Sequence, residues 1–325
     1  MAILWCGGED IDFPNGAVPT VDLGITHFRT AYARCGLLAV QPTVVKGTIF
    51  PGGAITSCWL SCRMFTSWAG ANSRSFGLGV SGSNKGLFVG PGTAASTICL
   101  STFDGTTRVV LASELGTSMS ATVHKIDIQL VNWGASATIR VYVDGALLIT
   151  FTGNSVGATG IASFDSVFIP QPNTLNATFV SEVIVADEDT RDFSLSTLAP
   201  SAAGTTDDWT GAFTDVNEVT INDVTVVTTD TPGLDEQFNL TNLTAGSFQV
   251  RNVKIVARSA NTVGSAVNTV ALGVNVGGTV DPGAPQAVTT AFVPLERFMS
   301  QNPVTAANWT QTEADALQVN LRSGA

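Results

Sequence analysis

Two histidines, His27 and His124, are the whole imidazole supply of this 325-residue chain. Any Ser-His-Asp relay must run through one of them. His27 stands in Thr26-His27-Phe28-Arg29 with no acidic residue at a useful spacing. His124 shares the inward parity of Ile126 and Ile128, where an imidazole fills a half-buried slot with one hydrogen bond. Glycoside cleavage needs two carboxyl groups about 5–10 Å apart across a sugar. Glu114 is isolated, and Asp187 and Asp189, which share a parity, lead into a Ser/Thr/Pro stretch and read as a solvated strand end. The expectation is a protein with no catalytic residue, and not an enzyme.

The five cysteines, Cys6, Cys35, Cys58, Cys62 and Cys99, are odd in number, so at least one is unpaired, which suits synthesis in a reduced compartment. Cys58 and Cys62 lack a second ligand pair for zinc and share a strand parity with Leu60 and Met64, so they read as core residues. Gly77-Leu78-Gly79-Val80-Ser81-Gly82 has glycines at nucleotide-loop spacing but no helix after it, and reads as strand and turn.

Binding is better served than catalysis. Ser57, Trp59, Ser61 and Arg63 share the strand face opposite Cys58, Leu60 and Cys62. An aromatic ring among serines and an arginine can stack on a sugar or anchor a partner, although burial of the tryptophan against a second layer is the ordinary alternative. Trp68, Asn72 and Arg74, in a loop-like stretch, complete the candidate surface.

The elements that must position these residues are strands. Alternation of period two recurs and helical periodicity is nearly absent. Ile126, Ile128 and Leu130 alternate with Lys125, Asp127 and Gln129, predicting one face on a core and one in water. Ile139, Val141 and Val143 alternate with Arg140 and Tyr142, and Asp144-Gly145 suits a type I′ turn, so residues 138–152 predict a hairpin. Further strands are expected over Ala177–Ala186, Glu218–Thr229, Phe248–Ala257 and Val267–Val276, with a linker over Ser194–Thr206. Thr310-Gln311-Thr312-Glu313 matches a capping box and predicts one short helix over 311–318.

Composition agrees with this class. Charged residues are only 13% of the chain, while 41 Thr and 25 Ser make hydroxyl side chains about a fifth of it. The net charge is -11, which removes the general attraction to phosphate backbones that a nucleic-acid partner requires. The acidity is local: residues 182–236 hold 13 acids and one base, Arg191, and the rest sums to +1. Concentrated like charge repels DNA and keeps a surface soluble, and ordinary solvation of loops explains it as well. No apolar run is long enough to span a membrane, and the first residues lack the basic and apolar regions of a cleavable leader, so cytoplasmic synthesis without export by that route is expected.

His124-Lys125-Ile126-Asp127-Ile128, Ile139-Arg140-Val141-Tyr142-Val143-Asp144-Gly145 and Thr56-Ser57-Cys58-Trp59-Leu60-Ser61 resemble strands of the concanavalin-type jelly roll of laminin-G and pentraxin domains, over about residues 1–190. The laminin-G likeness would admit calcium, but no EF-type loop is present and the acids are scattered, so no metal and no cofactor are expected. A second resemblance, over about 183–325, is to structural proteins of tailed-bacteriophage particles. It is carried by Val185-Ala186-Asp187-Glu188-Asp189-Thr190-Arg191, Ala199-Pro200-Ser201, Trp209-Thr210-Gly211, Asp215-Val216-Asn217-Glu218, Asn302-Pro303, Trp309-Thr310 and Ala316-Leu317-Gln318.

Together these imply an all-β chain: a jelly-roll domain over 1–194, then a β-rich attachment or assembly domain over 195–325 with one short helix near the C-terminus. The resemblance further implies a virion component such as a tail fibre, tail-tip or capsid decoration protein. Its partners would be other virion proteins and copies of itself, a trimer favoured, with a host-surface glycan as a further ligand. A carbohydrate-binding module is the first alternative and a polysaccharide hydrolase the second.

Overall fold

Alternating apolar residues build the observed strands, and the protein is nearly all β. The computed structural model describes residues 3–7, 45–50, 53–66, 76–83, 85–92, 97–115, 123–156, 159–169, 178–217, 223–243, 246 and 248–325. The chain divides into two compact units, Met1–Leu195 and Ser196–Ala325.

The first unit contains β1 (Ile3–Gly7), β2 (Val45–Ile49), β3 (Cys58–Thr66), β4 (Phe76–Gly79), β5 (Lys85–Pro91), β6 (Thr97–Asp104), β7 (Arg108–Leu115), β8 (His124–Val131), β9 (Ala137–Val143), β10 (Ala146–Gly153), β11 (Ser166–Ile169) and β12 (Thr178–Ala186). They form two six-stranded antiparallel sheets, ordered β1-β12-β3-β8-β9-β10 and β2-β11-β4-β5-β6-β7, the arrangement of a jelly-roll sandwich. Cys58, Leu60, Cys62 and Met64 of β3, Ile126, Ile128 and Leu130 of β8, and Ile139, Val141 and Val143 of β9 are all buried. Burial pushes the Cys58 thiol up to about 12, and burial, with the charge of Asp127 nearby, holds the Cys62 thiol well above its ordinary value. These cysteines are inert apolar fillers, as their parity predicts.

The β9–β10 hairpin turns at Asp144 and Gly145, with φ of 50° and 82°, which glycine adopts without strain and Asp tolerates. Asp144 also closes the turn onto β8: its carboxylate accepts the Lys125 backbone N–H at 2.9 Å and lies 2.6 Å from His124 Nδ1. The half-buried His124 is thus satisfied by a partner twenty residues away. The glycine-rich stretch is strand and turn: Gly77 lies in β4, where a Cβ would fall 1.8 Å from the Leu87 carbonyl oxygen.

The second unit contains β13 (Pro200–Asp207), β14 (Asp235–Leu240), β15 (Val253–Ser259), β16 (Thr269–Val276), β17 (Thr279–Asp281), β18 (Pro285–Ala287), β19 (Val293–Met299), α1 (Gln311–Ala316) and β20 (Gln318–Gly324). One sheet runs β13-β14-β20-β16-β17 with β18 also on β16, and β15 and β19 form a two-stranded partner. Between them Ile255, Leu272, Val274, Leu295, Met299, Trp309 and Leu317 make a core. The capping box is present: Thr310 Oγ1 accepts the Glu313 N–H at 3.2 Å and Glu313 Oε2 accepts the Thr310 N–H at 2.9 Å, which starts α1 at Gln311.

Three expectations need correction. The expected linker over Ser194–Thr206 holds most of β13, because Pro200–Asp207 lies along β14 as an edge strand of small residues. Of the strand expected over Glu218–Thr229, residues 218–222 lie outside the described residues, and 223–229 form bends with a single bridge from Thr228 to Thr210 in place of a strand. The strand expected from Phe248 begins only at Val253. Among the described residues no helix is long and apolar enough to cross a membrane.

The acidic stretch is also not all solvated. Glu236 is only 2% exposed, on the core side of β14, and accepts the Trp209 backbone N–H at 3.0 Å. Burial, with Asp207 and Asp208 nearby, raises its carboxyl from 4.5 to about 7. A folded carboxyl above its unfolded value binds an extra proton between those two pH values, so stability is fully present below about 4.5 and is lost as pH rises through about 7. Denaturation midpoints are therefore expected to be higher at pH 6 than at pH 8, by about 1–2 kcal/mol of stability after allowance for partial hydration of the carboxyl. Glu236→Gln should raise stability at pH 8 and flatten this dependence. An equal pH slope in wild type and variant would refute the assignment.

Candidate functional site

The outward face of β3 is placed by the registers of its neighbours. Trp59 lies opposite Gln129 of β8, which lies opposite Arg140 of β9. Ser61 lies opposite Asp127, itself opposite Tyr142, and Arg63 lies opposite Lys125. Side chains directly opposite share a face, so these residues form one polar and aromatic surface. Reaching across β8, Trp59 stacks on Tyr142 with centroids 5.6 Å apart and planes at 26°. Arg140 Nη1 donates to Gln129 Oε1 at 2.8 Å. Thr150 of β10, paired with Arg140, is exposed, and so is Leu147, paired with Tyr142.

After β12 the chain doubles back as a strap over this face. Lys125 Nζ donates to three carbonyls, those of Thr190 (2.9 Å), Arg191 (2.7 Å) and Phe193 (2.6 Å). Thr190 Oγ1 donates to Asp127 Oδ1 at 2.8 Å, and both residues are fully buried. Burial lowers the Lys125 ammonium and raises the Asp127 carboxyl, each shift opposed by the other's charge. The strap delivers the Arg191 guanidinium to 4.7 Å from the Tyr142 ring centroid and 5.6 Å from that of Trp59, within cation–π range of both. Asp189 holds that guanidinium through Nε at 3.0 Å and Nη2 at 2.6 Å, and these hydrogen bonds keep the Asp189 carboxyl below its usual range.

The Lys125-Asp127-Gln129 face, expected in water, is therefore covered over its first two positions, with Asp127 fully buried and Lys125 half-buried. The strap's own carbonyls and hydroxyl replace the water those charges would need. Gln129 and Arg140, farther along, keep partial exposure.

Of the sequence candidates, Trp59 lies half-buried within the stack, so its ordinary alternative is partly met by Tyr142 and Arg191. Arg63 is exposed but pairs with Glu182 at 3.1 Å. Glu182 occupies a bulge where β12 gains a residue against β3, with φ of 50°. Trp68, Asn72, Arg74 and His27 lie outside the described residues. Glu114 and Asp187 are exposed, and Asp189 is committed to Arg191. Among the described residues no three His, Cys, Asp or Glu gather as metal ligands.

The residues the sequence did not single out are Gln129, Arg140, Tyr142 and Arg191. Strand parity already placed the first three on outward faces. What was missing was the register that sets them beside Trp59.

Comparison with known proteins adds fold-level likeness only. No family model matches the chain, and no curated protein matches it. Among solved structures, the carbohydrate-binding module CBM66 from Bacillus subtilis is 13% identical, covering 44% of this chain and 89% of its own at a TM-score of 0.25. The CBM40 of a Ruminococcus gnavus IT-sialidase, bound to α2,3-sialyllactose, is 15% identical, covering 50% and 91% at 0.31. The LamAcat structure from Zobellia galactanivorans is 10% identical, covering 41% and 65% at 0.27. Likeness at this level carries no functional argument.

Proposed function

We propose that the first unit is a non-catalytic glycan-binding module using the Trp59, Tyr142, Gln129 and Arg140 face. The observation that carries this reading is the juxtaposition of a stacked aromatic pair with the Arg140–Gln129 hydrogen bond on one sheet face. Aromatic rings take up the C–H faces of sugars, and planar amide and guanidinium groups hold adjacent hydroxyls in fixed geometry. Strand backbones and the pinned strap hold these groups in place, which limits the ordering cost of binding.

The test is a glycan array with the purified full chain, followed by titration of each hit. Trp59→Ala is expected to weaken binding at least about tenfold, near 1.4 kcal/mol, while Val280→Thr, on the second unit, leaves it unchanged. Selective binding that survives Trp59→Ala would place the site elsewhere. Robust release of reducing ends from a bound polysaccharide would overturn the non-catalytic reading.

The setting we infer is a tailed-bacteriophage particle, with the second unit attaching or assembling the chain in several copies, a trimer favoured. Support comes from the sequence resemblance over 183–325 and from the acidity of 182–236. Repetition would multiply weak single-site contacts into useful avidity. Quantitative mass spectrometry of purified virions should find the chain at fixed stoichiometry, and its absence would remove this setting.

A further inference from the structure

We propose that the glycan bound by this face carries a carboxylate, and that Arg140 is the residue that selects it. The inference rests on the glycan-binding reading above and deepens it to a ligand class.

The argument is a charge balance over one sheet face. Arg63 is matched by Glu182, Arg191 by Asp189, and Lys125 by three carbonyls and by Asp127 close by. Arg140 differs. Among the described residues its guanidinium bonds Gln129 Oε1 alone, and no carboxylate pairs with it. Yet it is half-buried and its orientation is set by that bond, so it is a fixed and partly desolvated cation. A guanidinium with one edge used keeps another for the two parallel N–H···O bonds that a carboxylate accepts, and charge-assisted bonds of this kind are about twice as strong as neutral ones.

The surroundings suit a sugar acid. Exposed Thr150 lies opposite Arg140 on β10 and offers a hydroxyl on the same sheet face. Trp59 lies two strands away, but its ring reaches across β8 to Tyr142 while the Arg140 guanidinium is turned onto Gln129 of that same strand, so aromatic stacking and carboxylate capture can meet one sugar residue or two adjacent ones. The chain's overall acidity does not oppose this. Residues 1–181 hold nine acids and nine bases, and the excess lies in 182–236. Acids farther away than about 8 Å are largely screened at physiological ionic strength.

The experiment measures binding of the full chain to polygalacturonate, hyaluronan and polysialic acid, each beside its carboxyl-reduced form. Wild type is expected to bind at least one acidic glycan about tenfold or more tightly than the reduced form, with the difference shrinking as salt rises. Arg140→Gln, which keeps a hydrogen-bonding amide but removes the charge, is expected to bring the two forms within about twofold while binding to the reduced form persists. Carboxyl reduction alters the ligand rather than the protein, so the wild-type comparison holds even if the variant folds poorly. Equal affinity of wild type for both forms, or a preference that survives in folded Arg140→Gln, would overturn the selection by Arg140 and leave the glycan-binding reading intact. Failure to bind any acidic or neutral glycan would overturn both.

Discussion

Lys125→Met should destabilise the first unit by about 2–3 kcal/mol, less than removing one partner from a fully buried charge pair because the ammonium is half-buried. Methionine fills the space of the alkyl stem but offers no donor to the carbonyls of Thr190, Arg191 and Phe193. It also leaves the 0% exposed Asp127 without its compensating ammonium. Two consequences separate this from simple loss of packing. Hydrogen exchange should quicken in 187–193 as the strap lifts, and the fluorescence of Trp59 should change as Arg191 leaves its ring. Lys125→Met combined with Asp127→Asn should lose less than the sum of the single changes, since the second removes the charge that the first strands. Additive losses would mean that the two side chains stabilise the strap independently.

In the second unit, Trp309→Ala should cost about 3–5 kcal/mol, as expected for truncating a fully packed aromatic residue. Trp309 is 2% exposed, packs in the core with Ile255, Leu272, Leu295 and Leu317, and donates from Nε1 to the Met299 carbonyl at 2.9 Å. It lies immediately before the Thr310 cap, so one residue ties the end of β19 to the start of α1. Trp309→Phe keeps much of the apolar volume and loses the hydrogen bond, and should cost clearly less. Denaturant titration, with exchange followed over 253–299 and 309–324, would check both. A small effect of Trp309→Ala would show that the core refills the space.

What was legible in the sequence was local. The β9–β10 hairpin came from alternation plus Asp144-Gly145, and α1 from a four-residue box, since the determining contacts lie within a few residues. The inward parity of Cys58, Leu60 and Cys62, and hence the outward parity of Trp59, was equally readable. What failed depended on distant chain. Lys125 and Asp127 have the alternation of a wetted strand, and the segment that covers them lies 63 to 68 residues onward with nothing in its composition to announce it. Residues 223–229 have the β-branched content of a strand and yet make a single bridge, because propensity does not supply a neighbour with matching register. The candidate site follows the same division: Trp59 could be named from its strand alone, whereas Arg140 and Tyr142 acquired meaning only once β3, β8 and β9 were aligned.

The bulge at Glu182 has an evolutionary corollary. Ser181 faces Arg63 and Ile184 faces Ser61, so three steps on one strand match two on the other. Glu182 is thus a supernumerary residue. A gene that lost this codon would encode a straight β12 in which Val183 and Val185 still point inward. Length variation among descendants of this chain can therefore accumulate here without scrambling the interior, and the toll would fall on Arg63, left without its counter-ion.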